Sequence, residues 1–509
     1  MTDDPAETIL ALLAAGGAEH PAIAAPGRPS LSFAALRALA RRTIADLNRM
    51  GIGRNDRVAI VLPNGPEMAA AFVAIAAGAT TAPLNPAYKA EEFAFYLGDL
   101  NASALVIARG MESPARAAAA GRGIPIVELV PGEAAGAFTL IAQAPLAGTP
   151  AHPGAAEGQD VALVLHTSGT TSRPKIVPLR HVNVTASARN IGATLRLTPD
   201  DVCLNIMPLF HIHGLIAATL SSLAAGASVN CTPGFNAFRF FAWFAEVRPS
   251  WYTAVPTMHQ AILGLAARNQ AAIAAGRLRF IRSSSASLPP QVMEAMEQAF
   301  AVPVIEAYGM TEASHQMTSN PLPPAPHHAG SVGIAAGPEV AIMDEAGTLL
   351  APGALGEVVI RGRNVTAGYE NNPAANAAAF SNGWFRTGDQ GVIDTAGYLR
   401  LTGRLKELIN RGGEKISPIE VDTVLMDHPA VAQCLTFAMP HAMLGEEVAA
   451  AVVLADGASA TEAELRGFLA GRLAQFKVPR RIVFLDEIPK GATGKLQRIG
   501  LAGKLGLEA

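Results

Sequence analysis

Cysteine is scarce in this 509-residue chain, with only Cys203, Cys231 and Cys434. An odd, scattered set supplies neither a disulfide framework nor a zinc-binding spacing, so the three are expected to be core thiols of a protein in a reducing compartment. Charge is also sparse: 16% of residues are charged, the net charge is -3, and no basic run stands out. That excludes a general attraction to nucleic acid or acidic membranes, so any anionic ligand must be held locally. Long hydrophobic runs are missing too. Met68 to Leu84 is the longest weakly apolar stretch, and Gly78, Thr80 and Thr81 keep it below the ~20 residues of a membrane span, so a buried helix leading into a strand is expected. Asp3, Asp4 and Glu7 do not make a signal peptide, and Gly506-Leu507-Glu508-Ala509 is no peroxisomal address, so a cytoplasmic location is expected.

Half of the residues are hydrophobic, enough for a large core and at least two domains. Short apolar runs at Val58–Leu62, Ala104–Ile107, Val161–Leu165 and Val302–Ile305 alternate with alanine-rich helical stretches, which predicts α/β layers with largely parallel sheets. After about Gly330 the punctuation changes. Runs at Glu339–Met343 and Glu357–Arg361 predict a small antiparallel β unit. A boundary near Gly403 divides the chain into 1–403 and a compact α+β unit, 404–509, in which Ser417-Pro418-Ile419-Glu420 opens a helix like a capping box. Ser113 to Gly121 and Pro145 to Gly158 are expected to be surface connections, and no internal repeat is present.

The run His166-Thr167-Ser168-Gly169-Thr170-Thr171-Ser172-Arg173-Pro174-Lys175 follows the strand-like Val161–Leu165. Hydroxyls and backbone N–H groups crowd a short turn, Gly169 permits positive φ, and Lys175 adds a cation, a combination suited to cradling nucleotide phosphates. The Gly-x-x-x-x-Gly-Lys-Ser/Thr spacing is absent, so this is no Walker A loop. On its own such a run also fits an ordinary hydrogen-bonded turn.

Six further segments stand in order behind it: Pro208-Leu209-Phe210-His211-Ile212-His213-Gly214, Ala307-Tyr308-Gly309-Met310-Thr311-Glu312, Gly356–Gly362, Trp384-Phe385-Arg386-Thr387-Gly388-Asp389, Gly403–Glu407 continuing to Glu420, and Pro489-Lys490-Gly491-Ala492-Thr493-Gly494-Lys495. Together they resemble the adenylate-forming acyl-CoA synthetases from about residue 30 to residue 500. The resemblance implies the acyl-CoA synthetase/luciferase-like fold, an N-terminal AMP-binding domain and a mobile C-terminal lid. It also implies ATP, Mg2+ and coenzyme A as reactants: a carboxylate attacks the α-phosphate, pyrophosphate leaves, and the thiol then displaces AMP. Thr167, Ser168, Gly169, Thr170, Thr171, Lys175, Ala286, Glu306, Ala307, Tyr308, Thr311, Asp389, Arg404 and Lys495 would hold the nucleotide. Glu312 would carry the metal through hard oxygen ligation. Lys495, Thr311 and Glu312 are the implied catalytic set, with Lys495 stabilising charge on the α-phosphoryl group. Thr493 stands where the family often has serine. Lys406 would be the hinge and Gly412-Gly413 would face the pantetheine channel, although a solvated hairpin position and a tight turn account for the same residues. For Asp389 and Arg404 the plainer account is a surface salt bridge.

Strings at His166–Pro178, Trp251–Thr257, Arg282–Leu288, Met310–His315 and Leu408–Asp422 further resemble the oxalate–CoA ligase subfamily. In that subfamily a serine and histidines hold the small diacid, which maps onto Ser285, His315 and His211. A second carboxylate that stays ionised during attack demands donors or positive charge in the acyl pocket. His315 follows Glu312 by three residues, which on a helical turn would set both on one face; a capping or core role is the alternative. His211 could instead gate thiol access, and His213 is read as structural. Other small carboxylates or short and medium fatty acids are the alternative substrates. A carrier-protein-loading adenylation module and a non-catalytic binding protein are alternatives of other classes; against the first, no Gly-Gly-x-Ser carrier segment follows. Expected partners are small molecules, without nucleic acid or membrane, in a monomer or homodimer.

Overall fold

The structure is a computed structural model that describes residues 7–146, 148–167, 174–491 and 493–507. Two parallel-rich sheets form its bulk. One has seven strands, ordered Phe138–Ala142, Ile126–Pro131, Ala104–Ala108, Arg57–Val61, Thr80–Pro83, Val161–His166 and Ile176–Arg180. The other has nine, ordered Ile334–Ala335, His315–Ser319, Val304–Met310, Phe280–Ser284, Trp251–Ala254, Val202–Asn205, Ser228–Cys231, Pro21–Ala25 and Arg28–Ser32. The N-terminal hairpin thus belongs to the second sheet although the chain between it and residue 200 builds the first.

The apolar run after Met68 behaves as its composition requires. The helix Pro66–Ala76 is buried along its length apart from Glu67, and it leads into the buried strand Thr80–Pro83. Together with the π-helical segment His213–Leu220 it belongs to the main hydrophobic core, where bulky and small side chains leave water no access. Among the described residues no helix is long and apolar enough to cross a membrane.

The Gly/Pro-punctuated stretch forms a five-stranded antiparallel sheet: Glu339–Met343, Leu355–Arg361, Trp384–Ile393 and Phe380–Ser381, with Leu399–Arg404 added against Trp384–Ile393. A separate five-stranded sheet follows, made of Glu414–Ile416, Ile409–Arg411, Gly445–Leu454, Val431–His441 and Arg481–Phe484. It carries its own buried cluster around Ile409, Val421, Leu425 and Val448. All three cysteines are buried and free, as expected of core thiols.

Two local expectations need correction. Ser113 to Gly121 is not a bare connection, because Ser113 caps the helix Pro114–Ala120 by accepting from Ala115 N–H. The Ser417 cap forms only one half of a capping box. Its hydroxyl accepts from Glu420 N–H at 3.3 Å, while the Glu420 carboxylate turns instead to the Lys477 ammonium at 2.6 Å, a stronger partner than a backbone amide.

Candidate active site

In parallel sheets the strand ends face one edge, and side chains that follow the carboxyl ends meet there. Four adjacent strands of the nine-stranded sheet, Val202–Asn205, Trp251–Ala254, Phe280–Ser284 and Val304–Met310, run parallel in register. Their ends deliver the His211–Gly214 turn, Thr253, Ser285 and Thr311 to a common edge. The backbone there is strained: Ser285, Ser314 and His315 hold φ of 77°, 50° and 100°, values L-residues seldom adopt.

Beyond Met310 the chain makes a short 3-10 turn, Thr311–Ala313, and then enters the strand His315–Ser319. The expected helical face joining Glu312 to His315 therefore does not form, because Ser314 in the left-handed region ends the turn after three residues. Gly309 allows this reversal. A Cβ there would lie 1.7 Å from the His315 carbonyl oxygen.

Among the residues expected to hold a nucleotide, Asp389 is buried and both carboxylate oxygens are engaged. One accepts from the Tyr308 hydroxyl and the other from Arg404 Nε at 3.0 Å. Burial and the neighbouring Asp389 push the Tyr308 hydroxyl well above its usual range, so it remains a donor. Glu312 accepts from the Tyr369 hydroxyl at 2.8 Å through Oε1; Oε2 has no hydrogen bond among the described residues. Lys175 Nζ stands 4.2 Å from the Tyr369 ring centroid, and the Thr167 hydroxyl accepts from Lys175 N–H at 3.2 Å. Ser168, Gly169, Thr170 and Thr171 lie outside the described residues. Glu306 turns inward and accepts from Leu288 N–H at 3.0 Å, so it anchors the Ser285–Leu288 loop; burial raises its pKa to about 8. Ala286 lines a cleft with Val255, Pro289 and Lys495.

Lys495 reaches this edge from the far end of the chain. The Gly494 carbonyl accepts from the Thr257 hydroxyl at 2.8 Å, and Gln433 bonds Gln260 at 2.8 Å, so the C-terminal sheet is docked on the helix Pro256–Ala266. Lys495 lies within electrostatic range of Arg404, Asp389, Glu312 and the histidines. Burial and the Arg404 charge lower its pKa to about 8, with Asp389 and Glu312 opposing. Lys406 is exposed in the turn between two strands. Gly412 and Gly413, with φ of 60° and 98°, form the two-residue turn of the hairpin Ile409–Arg411 to Glu414–Ile416, for which glycine is suited.

Around the residues expected to take the acid, imidazole and hydroxyl groups gather. His213 is fully buried, with Nδ1 3.0 Å from the Ser285 hydroxyl and Nε2 2.6 Å from the Thr253 hydroxyl. His211 Nδ1 accepts from the His213 backbone N–H at 3.3 Å, which leaves Nε2 to carry the proton. His315 is buried, its ring centroid 4.9 Å from that of His213, and neither ring nitrogen has a partner among the described residues. Burial pushes all three imidazoles well below their usual range, His211 to about 3, and the Lys495 charge adds to the effect. At neutral pH they are therefore neutral N–H donors.

Two residues of this site carried no role in the sequence reading. Thr253 and Arg282 sit opposite each other on neighbouring strands, and Arg282 is fully buried. The available signal was a lone arginine inside the strand Phe280–Ser284. His213, read as structural, bridges the Ser285 and Thr253 hydroxyls.

Residues 13–370 match the AMP-binding enzyme family and residues 420–495 match the AMP-binding enzyme C-terminal domain. The oxalate–CoA ligase of Arabidopsis thaliana is 46% identical over 98% of this chain and 98% of its own length. The oxalate–CoA ligase of Saccharomyces cerevisiae is 44% identical over 87% of this chain and 86% of its own length. Among solved structures, ATP-bound MatB from Rhodopseudomonas palustris is 30% identical and superposes with a TM-score of 0.87 over 98% of both chains, while apo MatB scores 0.77 over the same coverage.

Proposed function

Since the chain belongs to the AMP-binding enzyme family, we propose that it is an AMP-forming ligase that adenylates oxalate and transfers the oxalyl group to coenzyme A. The observation that carries the substrate assignment is the acyl pocket. Ser285 and His211 offer a hydroxyl and an N–H at the sheet edge, and the buried His213 and His315 rings packed 4.9 Å apart make the surroundings polar where an alkyl chain would need apolar walls. A carboxylate that remains charged while its twin attacks phosphorus would find donors in the partly exposed Ser285 and His211, with the His315 nitrogens enclosed just behind them. A fatty-acid tail would strand them.

In the adenylation step, one oxalate oxygen attacks the α-phosphorus and pyrophosphate leaves. Asp389 and Arg404 would hold the ribose, Tyr308 and Ala307 would flank the adenine, and Thr311 and Lys175 would bond the phosphates. Lys495 would meet the negative charge that builds up on the α-phosphoryl oxygens. The free Glu312 oxygen suits a magnesium ion, and no cluster of three ligating side chains stands among the described residues. One carboxylate plus phosphate oxygens is the usual way this ion is held, and it would neutralise phosphate charge. The coenzyme A thiol then attacks the oxalyl carbonyl and AMP departs.

Residues 404–509 would form the lid that alternates about Lys406 between these steps, bringing the Gly412-Gly413 turn to the pantetheine path in the second. The nearness of Lys495 to Asp389 and Glu312, and the better superposition on an ATP-bound relative than on its apo form, support an adenylation-ready arrangement. Residue content favours a cytoplasmic protein.

Ser285→Ala and His315→Ala test the reading. Each is expected to raise KM for oxalate about tenfold, the scale of one hydrogen bond to a charged group, and to leave KM for ATP unchanged. Unaltered oxalate KM values in both variants contradict it.

A further inference from the structure

Neutral histidines carry no charge to offset a dianion, and Lys495, whose charge bears on them, would be engaged by the α-phosphoryl group. Beneath the acyl pocket, however, lies Arg282, with 0% of its surface exposed. Among the described residues it forms no ion pair. Nη1 donates to the Thr253 hydroxyl at 3.5 Å, Nη2 donates to Gln316 Oε1 at 3.3 Å, and Nε has no partner. An arginine wholly removed from water without a carboxylate is costly, and such groups are normally paired. The other groups that bear on His213 and His315 are His211 and Lys495, none of them acidic. Among the described residues no carboxylate pairs with Arg282, and the one group that favours its charge, the Cys203 thiol, is itself kept protonated by burial.

The hydrogen bonds around Arg282 also have a direction. Guanidinium only donates, so the Thr253 oxygen accepts from it. The one further partner of that oxygen among the described residues is His213 Nε2 at 2.6 Å, so the Thr253 O–H donates there. His213 then carries its proton on Nδ1 and donates to the Ser285 oxygen at 3.0 Å. The Ser285 O–H is left with no acceptor among the described residues and is free to turn to the pocket. The chain runs from a fixed cation to a donor aimed at substrate.

We propose that Arg282 is the positioning residue that makes this pocket select a dianionic acid, supplying the balancing positive charge and orienting Ser285 through Thr253 and His213. The inference rests on the reading of the site as an oxalate pocket.

The test compares oxalate with oxamate, its monoamide, in acid-dependent pyrophosphate release by the full chain. Arg282→Met removes the charge at similar length and Arg282→Lys keeps it. Arg282→Met is expected to raise KM for oxalate about thirtyfold, which is about 2 kcal/mol at 1.4 kcal/mol per tenfold, with oxamate changed less than about threefold and KM for ATP unmoved. Arg282→Lys is expected to recover most of the oxalate affinity. Equal losses for oxalate and oxamate, or no loss for either, overturn the proposal, since a purely structural arginine would not discriminate between them. Should Arg282→Met fail to fold, Gln316→Glu gives the answer by placing a carboxylate against Nη2. A raised oxalate KM supports the proposal and an unchanged one overturns it. Absence of any oxalate-dependent pyrophosphate release by the unaltered enzyme defeats the substrate reading instead. The same contrast is then read between the diacid that is turned over and its monoamide, and an enzyme that accepts only monoacids overturns the role of Arg282 as well.

Discussion

Raising the pH should disarm Lys495 well before an ordinary lysine would lose its proton. The ammonium sits partly buried beside the Arg404 guanidinium, and these two influences bring its pKa down from 10.5 to about 8. A group with that pKa is about 90% charged at pH 7 and about 10% charged at pH 9. If the charged form is what stabilises the α-phosphoryl group, kcat/KM for ATP falls about tenfold over that interval, because this parameter reports the free enzyme. The limb in kcat should lie at higher pH, since bound triphosphate favours the ammonium. The assay is oxalate-dependent pyrophosphate release without coenzyme A, so that ionisation of the thiol does not enter. Lys495→Arg, whose charge persists above pH 12, should be slower but should lack the limb. Stability should move the opposite way. The folded-state pKa lies below the unfolded value, so between about pH 8 and 10.5 the unfolded chain binds more protons and folding gains with rising pH. That gain should be present in the unaltered chain and absent from Lys495→Met. A flat kcat/KM profile to pH 9.5, or an identical limb in Lys495→Arg, refutes the reasoning.

Other substitutions probe the frame of the site. Gly309→Ala would drive a Cβ to within 1.7 Å of the His315 carbonyl, which the strand pairing of Gly309 with Gln316 cannot absorb. It should cost about 3 kcal/mol, the upper range for overpacking, and lower both the melting temperature and oxalate affinity, as calorimetry and kinetics would record. A melting temperature equal to that of the unaltered chain would show the turn to be more yielding than its geometry indicates. Glu312→Gln keeps a partner for the Tyr369 hydroxyl but removes the anionic oxygen, so the Mg2+ concentration for half-maximal pyrophosphate release should rise at least about tenfold. Unaltered Mg2+ dependence would move the metal elsewhere.

The layers of this fold are legible in the sequence because its strands announce themselves. Val58–Leu62, Ala104–Ile107 and Val161–Leu165 are β-branched runs between alanine-rich helices, and each became a parallel strand. It could not show that Pro21–Ser32 crosses to the other sheet, since pairing partners far apart in sequence leave no local trace. Nor could it show that Thr311–Ala313 stops after one 3-10 turn, because Ser314 is held in the left-handed region by tertiary contacts and not by its own preference. Asp389, Arg404 and Lys495 were legible through motifs that resemble a known family. The link from Arg282 through Thr253 and His213 to Ser285 was not, since it depends on strand register and on burial that removes a charge from water. The docking of the Lys495 loop against Thr257, more than two hundred positions away, is likewise a product of packing.

The central claim is that the acyl pocket takes a two-carbon dianion, and the direct measurement is acyl-CoA formation from single acids, read by mass spectrometry together with AMP release. The account predicts oxalyl-CoA and AMP, with kcat/KM for oxalate at least about a hundredfold above that for hexanoate, since the pocket's polar donors would be left unpaired by an alkyl chain. Hexanoyl-CoA formed in preference to oxalyl-CoA would contradict it.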